Sequence, residues 1–163
     1  MSSRQLLIVW HSRTGAAKAM AEAAFEGARG AGDVRVLRAC DADSDDVLGA
    51  GGYIFACPEN LATMSGEMKE FFDRCYYPVL GKVEGRAFAT LIAAGSDGAG
   101  AQAQIDRIAT GWRLKRVAER LIANTDAQTP DEILAPKTLD EAILKQCREM
   151  GQALVTGLEI GAF

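Results

Sequence analysis

Ser12-Arg13-Thr14-Gly15 follows directly on the apolar run Leu6–Trp10, and an alanine-rich stretch from Ala16 to Gly30 comes next. Two hydroxyls, a cation and a glycine within four residues, set between a strand and a helix, have the composition of an anion site. Backbone N–H groups that open a helix converge on one spot, and the helix dipole favours negative charge there. Ser12 and Thr14 add hydroxyl donors, Arg13 adds a positive charge, and Gly15 lets the backbone come close to a ligand. The expected ligand is a phosphate held by Ser12, Arg13, Thr14 and the backbone of Gly15, Ala16 and Ala17. Arg13 either pairs with that phosphate or faces water. His11, the only histidine, reads as a loop residue at a strand end, with a ligand contact as the alternative.

Several phosphate chemistries are excluded by absent patterns. The run G-x-x-x-x-G-K-[ST] does not occur, and no G-x-G-x-x-G follows the first strand. A phospho-acceptor site would need paired carboxylates beside that strand, which is flanked instead by Arg4-Gln5 and Trp10-His11. A loop of hydroxyls and amides with no lysine suits a monophosphate that stays bound, not one in transit.

Two further segments repeat the layout of an apolar strand running into a small-residue loop. Tyr53–Cys57 is stopped by Pro58 and leads into a loop over 58–64; Ala87–Ala94 breaks into Gly95-Ser96-Asp97-Gly98-Ala99-Gly100. The continuous apolar character of these strands is that of a sheet covered on both faces. Helices are expected over Ala16–Ala28, about 45–50, about 65–76, from Gly100 to about Ala109, and over Thr138–Leu158. In the last of these Thr138 and Glu141 have capping-box spacing. Val34–Arg38 alternates like a strand near the sheet edge, and Ala118–Asn124 reads as the final strand. Met68, Phe71, Phe72 and Cys75 share one face of the helix expected over about 65–76. Trp112 to Arg116 reads as a basic connector with a partly packed tryptophan. The acidic run Asp41–Asp46 is a turn into a helix capped by Asp43 or Ser44, in preference to a metal site.

Alternating strands and helices, about five of each, imply an α/β fold: a doubly wound five-stranded parallel sheet with helices on both faces. Ligands of such sheets sit beyond the carboxyl ends of the strands. All three small-residue loops leave strands at that edge, and that shared location says more than any one loop. With 163 residues, 48% apolar and 25% charged, the chain reads as a single domain over 1–163. A net charge of -4 disfavours nucleic acid and membrane surfaces as partners. Met1-Ser2-Ser3-Arg4 runs straight into a strand without a signal-peptide pattern. Cys40, Cys57, Cys75 and Cys147 are scattered and read as reduced thiols, so a cytoplasmic protein is expected.

The chain resembles the flavodoxin-like family, specifically its quinone-reductase and FMN-reductase branch. Ile8-Val9-Trp10-His11-Ser12-Arg13-Thr14-Gly15 is similar to the family's signature, an apolar strand followed by S-x-T-G that cradles the FMN phosphate. The segment from Pro58 through Arg74 resembles the second flavin loop and its helix, and Gly95 to Gly100 the third loop beside the isoalloxazine ring. The resemblance implies that Pro58, Glu59, Asn60, Leu61 and Met64 line the flavin ring, and that Gly95, Ser96, Asp97 and Gly98 contact its edge. It also implies an oxidoreductase in which FMN carries electrons from NAD(P)H to a quinone, a flavin or another small acceptor. Members of this branch are often homo-oligomers with the site at the subunit contact.

Two departures from the pattern carry consequences. Ala17 stands where relatives often have a threonine donor to the phosphate. Asn60-Leu61-Ala62 stands where the second loop usually carries an aromatic residue and a glycine. Each lost neutral contact costs about 1 kcal/mol, so weaker FMN binding is expected. Two alternatives stay open: a flavodoxin-type electron carrier that meets a redox protein, and a flavin-free interaction module on the same scaffold.

Overall fold

The computed structural model describes residues 3–163. Met1 and Ser2, on which part of the signal-peptide reading falls, lie outside the described residues. The chain runs β1 (Leu6–Trp10), α1 (Ala16–Arg29), β2 (Val34–Arg38), α2 (Ser44–Gly49), β3 (Gly52–Asn60), β4 (Thr63–Met64) and α3 (Gly66–Val79). It continues with β5 (Ala87–Ala94), α4 (Ala99–Gly111), β6 (Lys115–Arg116), β7 (Leu121–Asn124), α5 (Pro130–Leu134) and α6 (Glu141–Ile160).

The parallel strands lie in the order β2-β1-β3-β5, and the next position is shared by β6 and β7. β6 pairs with Ala87 and Phe88 at the start of β5, and β7 with Leu91–Ala94 at its end. Among the described residues, six strand segments thus fill five parallel positions, and a seventh, β4, is added antiparallel to the end of β3.

Side chains alternate across the sheet and both faces are dry. Leu6, Ile8, Ile54 and Leu91 pack with α1 and α6 through Met20, Leu154 and Val155. Leu7, Val9, Tyr53, Phe55 and Ile92 point the other way, onto Phe71, Phe72, Ile105 and Trp112 of the α2–α4 face. That double burial is why the strands read as unbroken apolar runs. On the first face α1 and α6 meet backbone to backbone. A Cβ at Gly27 would lie 1.9 Å from the Arg148 carbonyl oxygen, and one at Gly151 would lie 1.9 Å from that of Ala24.

Several local expectations are corrected. Pro58 does not stop β3: the strand continues to Asn60 and turns back as β4, so 58–64 is a hairpin, not a loop. Pro58 stands opposite Ala93 as the last residue of the β3–β5 ladder and lies beyond the β1 ladder, which ends at Ala56, and a proline is tolerated at such a terminal position. Helix α3 carries Pro78 in its last turn and ends at Val79, beyond the expected Tyr76. Leu121, not Ala118, opens β7, because the edge position is interrupted after Arg116. Thr138 does not cap the last helix. α6 begins after Asp140, while the capping box belongs to Thr129 and Glu132 at the start of α5, a helix the periodicity did not suggest.

Trp112 is fully buried rather than partly packed. Its ring stacks on Tyr76 with centroids 5.9 Å apart, and its Nε1–H donates to the Tyr76 carbonyl at 3.0 Å. The following charges are structural too. Arg116 lies over the Phe88 ring at 4.6 Å and is paired with Asp106, which Arg120 also holds. Burial opposes ionisation of Asp106, but the two arginines keep its carboxyl below the ordinary carboxylate value. The acidic run 41–46 likewise caps α2: Asp43 accepts the N–H groups of Asp45 and Asp46.

Candidate functional site

A cleft of about 310 Å³ opens at the carboxyl ends of β1, β3, β5 and β7. This is within the range of small-molecule sites, roughly 300–1,000 Å³. Its walls include Ser12, Arg13, Thr14, Ala16 and Ala17 of the first loop. The hairpin adds Pro58, Glu59, Asn60, Leu61 and Ala62, and the end of β5 adds Ala93, Ala94, Gly95 and Ser96. The three small-residue segments picked out in the sequence do converge. Gly15, Met64, Asp97 and Gly98 are not among the lining residues. Met64 is buried in the core, and the Asp97 carboxylate is turned to the Ala99 N–H at 3.2 Å.

The first loop gathers hydrogen-bond donors at the start of α1. Gly15 adopts a left-handed φ of 106° and its N–H donates to Ser12 Oγ at 3.0 Å, closing the loop into a tight turn. The ladder of α1 starts with the Ala19 N–H on the Gly15 carbonyl. The N–H groups of Ala16, Ala17 and Lys18 therefore have no acceptor inside the helix. No side chain caps this end, and no acidic residue stands in its first turn. Arg13 is exposed at the loop tip. An uncapped helix start beside hydroxyl groups is matched to a phosphate by both hydrogen bonding and dipole.

His11 stands just behind the loop and outside the cleft wall. Its Nδ1 is 2.8 Å from Ser65 Oγ, and its Nε2 lies 3.2 Å from the Glu67 carboxylate. Burial lowers its pKa below the ordinary value, with Glu67 opposing. It ties the end of β1 to the start of α3. Ser65 is fully buried, so this Ser–His–Glu arrangement presents no reachable nucleophile. Cys57, Cys75 and Cys147 are buried, with thiols pushed up to about 12, 11 and 12, and take no part in the cleft.

The hairpin and third loop are locked together. Glu59 Oε1 accepts the Gly98 N–H at 2.9 Å and its Oε2 accepts the Ala101 N–H at 3.1 Å. Glu59 is thus a cap of α4 reached from β3, and the start of α4 is filled by the protein's own carboxylate. The Met64 N–H donates to Gln104 at 2.8 Å, and Gly100 lets the Ala62 carbonyl approach where a Cβ would stand 2.0 Å away. Leu61 and Ala62 form the two-residue turn with φ of 52° and 64°. Left-handed backbone at two non-glycine residues costs roughly 1 kcal/mol each.

Of the lining residues missed in the sequence, Ala62, Ala93 and Ala94 adjoin the segments singled out there, and four more lie far from them in the chain: Thr125, Ala127, Ile133 and Lys137. They belong to the strap between β7 and α6. The strap leaves β7 with Thr125 N–H on the Ala94 carbonyl and reaches the first loop, where the Lys137 N–H donates to the Thr14 carbonyl at 2.8 Å. The signal available was the Thr129–Glu132 capping box with Pro130 between, which marks a helix start.

The family model described as NADPH-dependent FMN reductase matches residues 38–118, which contain the hairpin and third loop but neither the first loop nor the strap. A flavodoxin of Aquifex aeolicus (strain VF5) is 34% identical over 98 residues, covering 59% of this chain. The chain spans about half of that relative, 53% of its length. An archaeal flavodoxin superposes with a TM-score of 0.76 at 20% identity, covering 95% of this chain and 99% of that one. The flavodoxin, WrbA-like protein from Agrobacterium tumefaciens gives 0.75 at 19%, covering 96% and 98%. At such identities the two structures speak for the fold. Together with the match to the FMN reductase family model across residues 38–118, they make this a flavodoxin-like chain whose centre is similar to FMN reductases.

Proposed function

We propose that the cleft holds FMN and that the protein is an oxidoreductase passing electrons from NAD(P)H to a quinone, a flavin or another small acceptor. The observation that carries this reading is the pairing of two unlike ends in one cleft. One end is the uncapped start of α1 with Ser12, Thr14 and the amides of Ala16 and Ala17. The other is lined by the apolar and backbone surface of the hairpin and the end of β5. An anionic tail and a flat, largely apolar ring system match those ends in turn.

The donor set fits the group. The first loop supplies three N–H groups that lack helical acceptors, and Arg13 is at hand for a dianion. Pro58, Glu59, Asn60 and Leu61, with Gly95 and Ser96, would border the ring. Bound there, FMN would supply hydride and single-electron chemistry. The chain's residues bind and orient it: the first loop grips the tail, and Glu59 fixes the spacing between hairpin and third loop. No side chain in the cleft is assigned a proton-transfer role, and catalysis would rest on position and electrostatics.

The carrier reading keeps one specific support, the 34% identity to a protein named flavodoxin. Titration of the purified protein with FMN, followed by visible absorption, tests both. Turnover of NADH or NADPH with a quinone then separates them. The reductase reading expects turnover, and its absence in a protein that binds FMN and reduces in two one-electron steps favours the carrier. No spectral change on adding FMN removes both.

A further inference from the structure

We infer that the strap over 125–137 provides the second wall of the ring slot, with Ile133 of α5 facing Leu61 of the hairpin across the cleft; this rests on the flavin reading above. The placement follows from topology. β3 and β7 lie on either side of β5, whose end floors the cleft. The hairpin grows from β3 and docks on α4, on the α2–α4 face of the sheet, through Glu59, Met64 and the close approach at Gly100. The strap grows from β7 and docks on the loop before α1, on the opposite face, through the Lys137 N–H on Thr14. Leu61 and Ile133 both line the cleft, yet come from opposite faces.

Both residues are unusually open for their type. Leu61 is 98% exposed and Ile133 45% exposed. α5 has no buried residue of its own, so a core requirement does not explain its apolar side chain on the cleft. The strap is nevertheless held firmly. Lys137 Nζ donates to the carbonyl oxygens of Glu132, Ile133 and Ala135, closing the end of α5. Ala127 presses on Gly95, where a Cβ would lie 2.9 Å from the Ala127 carbonyl oxygen. Two aliphatic side chains carried on firmly held backbone at opposite walls make a slot for a planar apolar group, and they offer the cover that an aromatic residue at positions 60–62 would otherwise supply.

The test is a comparison of FMN and riboflavin, which share the ring and differ in the phosphate. Binding of each is measured by fluorescence quenching to the unsubstituted protein, Ile133→Ala, Ile133→Asp and Thr14→Ala. Ile133→Ala is expected to weaken both flavins alike, by about tenfold, the equivalent of uncovering a few methylene groups. Ile133→Asp should weaken both further, while Thr14→Ala should weaken FMN and leave riboflavin unchanged. Because α5 is exposed, circular dichroism and melting should show both Ile133 variants folded. Unchanged affinity for both flavins in the two Ile133 variants overturns the role of the strap and leaves the flavin site standing. Failure of the unsubstituted protein to take up either flavin overturns the flavin reading and the strap's role together.

Discussion

Glu59, at the end of β3, and Gly98, at the start of α4, are joined by a 2.9 Å hydrogen bond from backbone N–H to carboxylate. Because the same carboxylate also accepts the Ala101 N–H, it caps a helix that follows it by some forty residues in the chain. The cap sets the distance between the hairpin and the third loop. Glu59→Gln keeps the shape but loses one acceptor oxygen and the charge at the helix start. The expected loss is about 1 kcal/mol of stability, read as a lower urea midpoint. Amide exchange at Gly98 and Ala101 should rise by more than the global change.

The turn at Leu61-Ala62 has local strain and an exposed leucine, which a hairpin alone would not select. Asn-Gly is the pair that suits two positive φ values. Leu61→Asn with Ala62→Gly should raise stability by about 1–2 kcal/mol, measured as a higher melting temperature. Flavin affinity should fall in the same protein, since Leu61 is lost from the slot. A gain in stability with undiminished flavin affinity would show that the leucine serves no binding purpose.

His11 gives a pH signature that one nucleus can follow, because the chain has a single histidine. Its imidazole should titrate below the ordinary value of 6.5, with burial the larger cause. Glu67→Gln should move the midpoint lower, since that carboxylate favours the charged ring. The unfolded state takes up the proton at higher pH than the folded state does. This contribution to stability is therefore present above pH 6.5 and is lost as pH falls through the window between 6.5 and the lowered folded value. His11→Gln should flatten that part of the stability curve, and an unchanged slope would remove His11 as its source.

Gly151 allows α6 to touch α1, with the Ala24 carbonyl 1.9 Å from where a Cβ would be. Gly151→Ala gains helix propensity but must push the two backbones apart. The clash should dominate, costing about 2 kcal/mol or more, whereas Gly30→Ala meets open space and should change little. Denaturant titration of the two variants distinguishes steric contact from propensity.

What the sequence alone determined were features written in local, repeated patterns. The apolar runs Leu6–Trp10 and Ala87–Ala94 specify strands buried on both faces, and their alternation with helices specifies a parallel sheet. Ser12 to Ala17 could be read as an anion loop because its donors are neighbours in the chain. The tertiary structure decided whatever depends on partners distant in sequence. The polarity of Glu59 says nothing of the N–H groups of Gly98 and Ala101 that it caps. Pro58 looks like a stop until the hairpin pairing behind it is seen. The basic run after Trp112 looks solvated until Phe88 and Asp106 are placed beside Arg116. Most of all, Ile133 and Lys137 carry no motif. They reach the cleft only because the strap, leaving one side of β5, crosses the sheet edge to hydrogen-bond to Thr14, and chain crossings of that kind leave no periodic trace in the residues that make them.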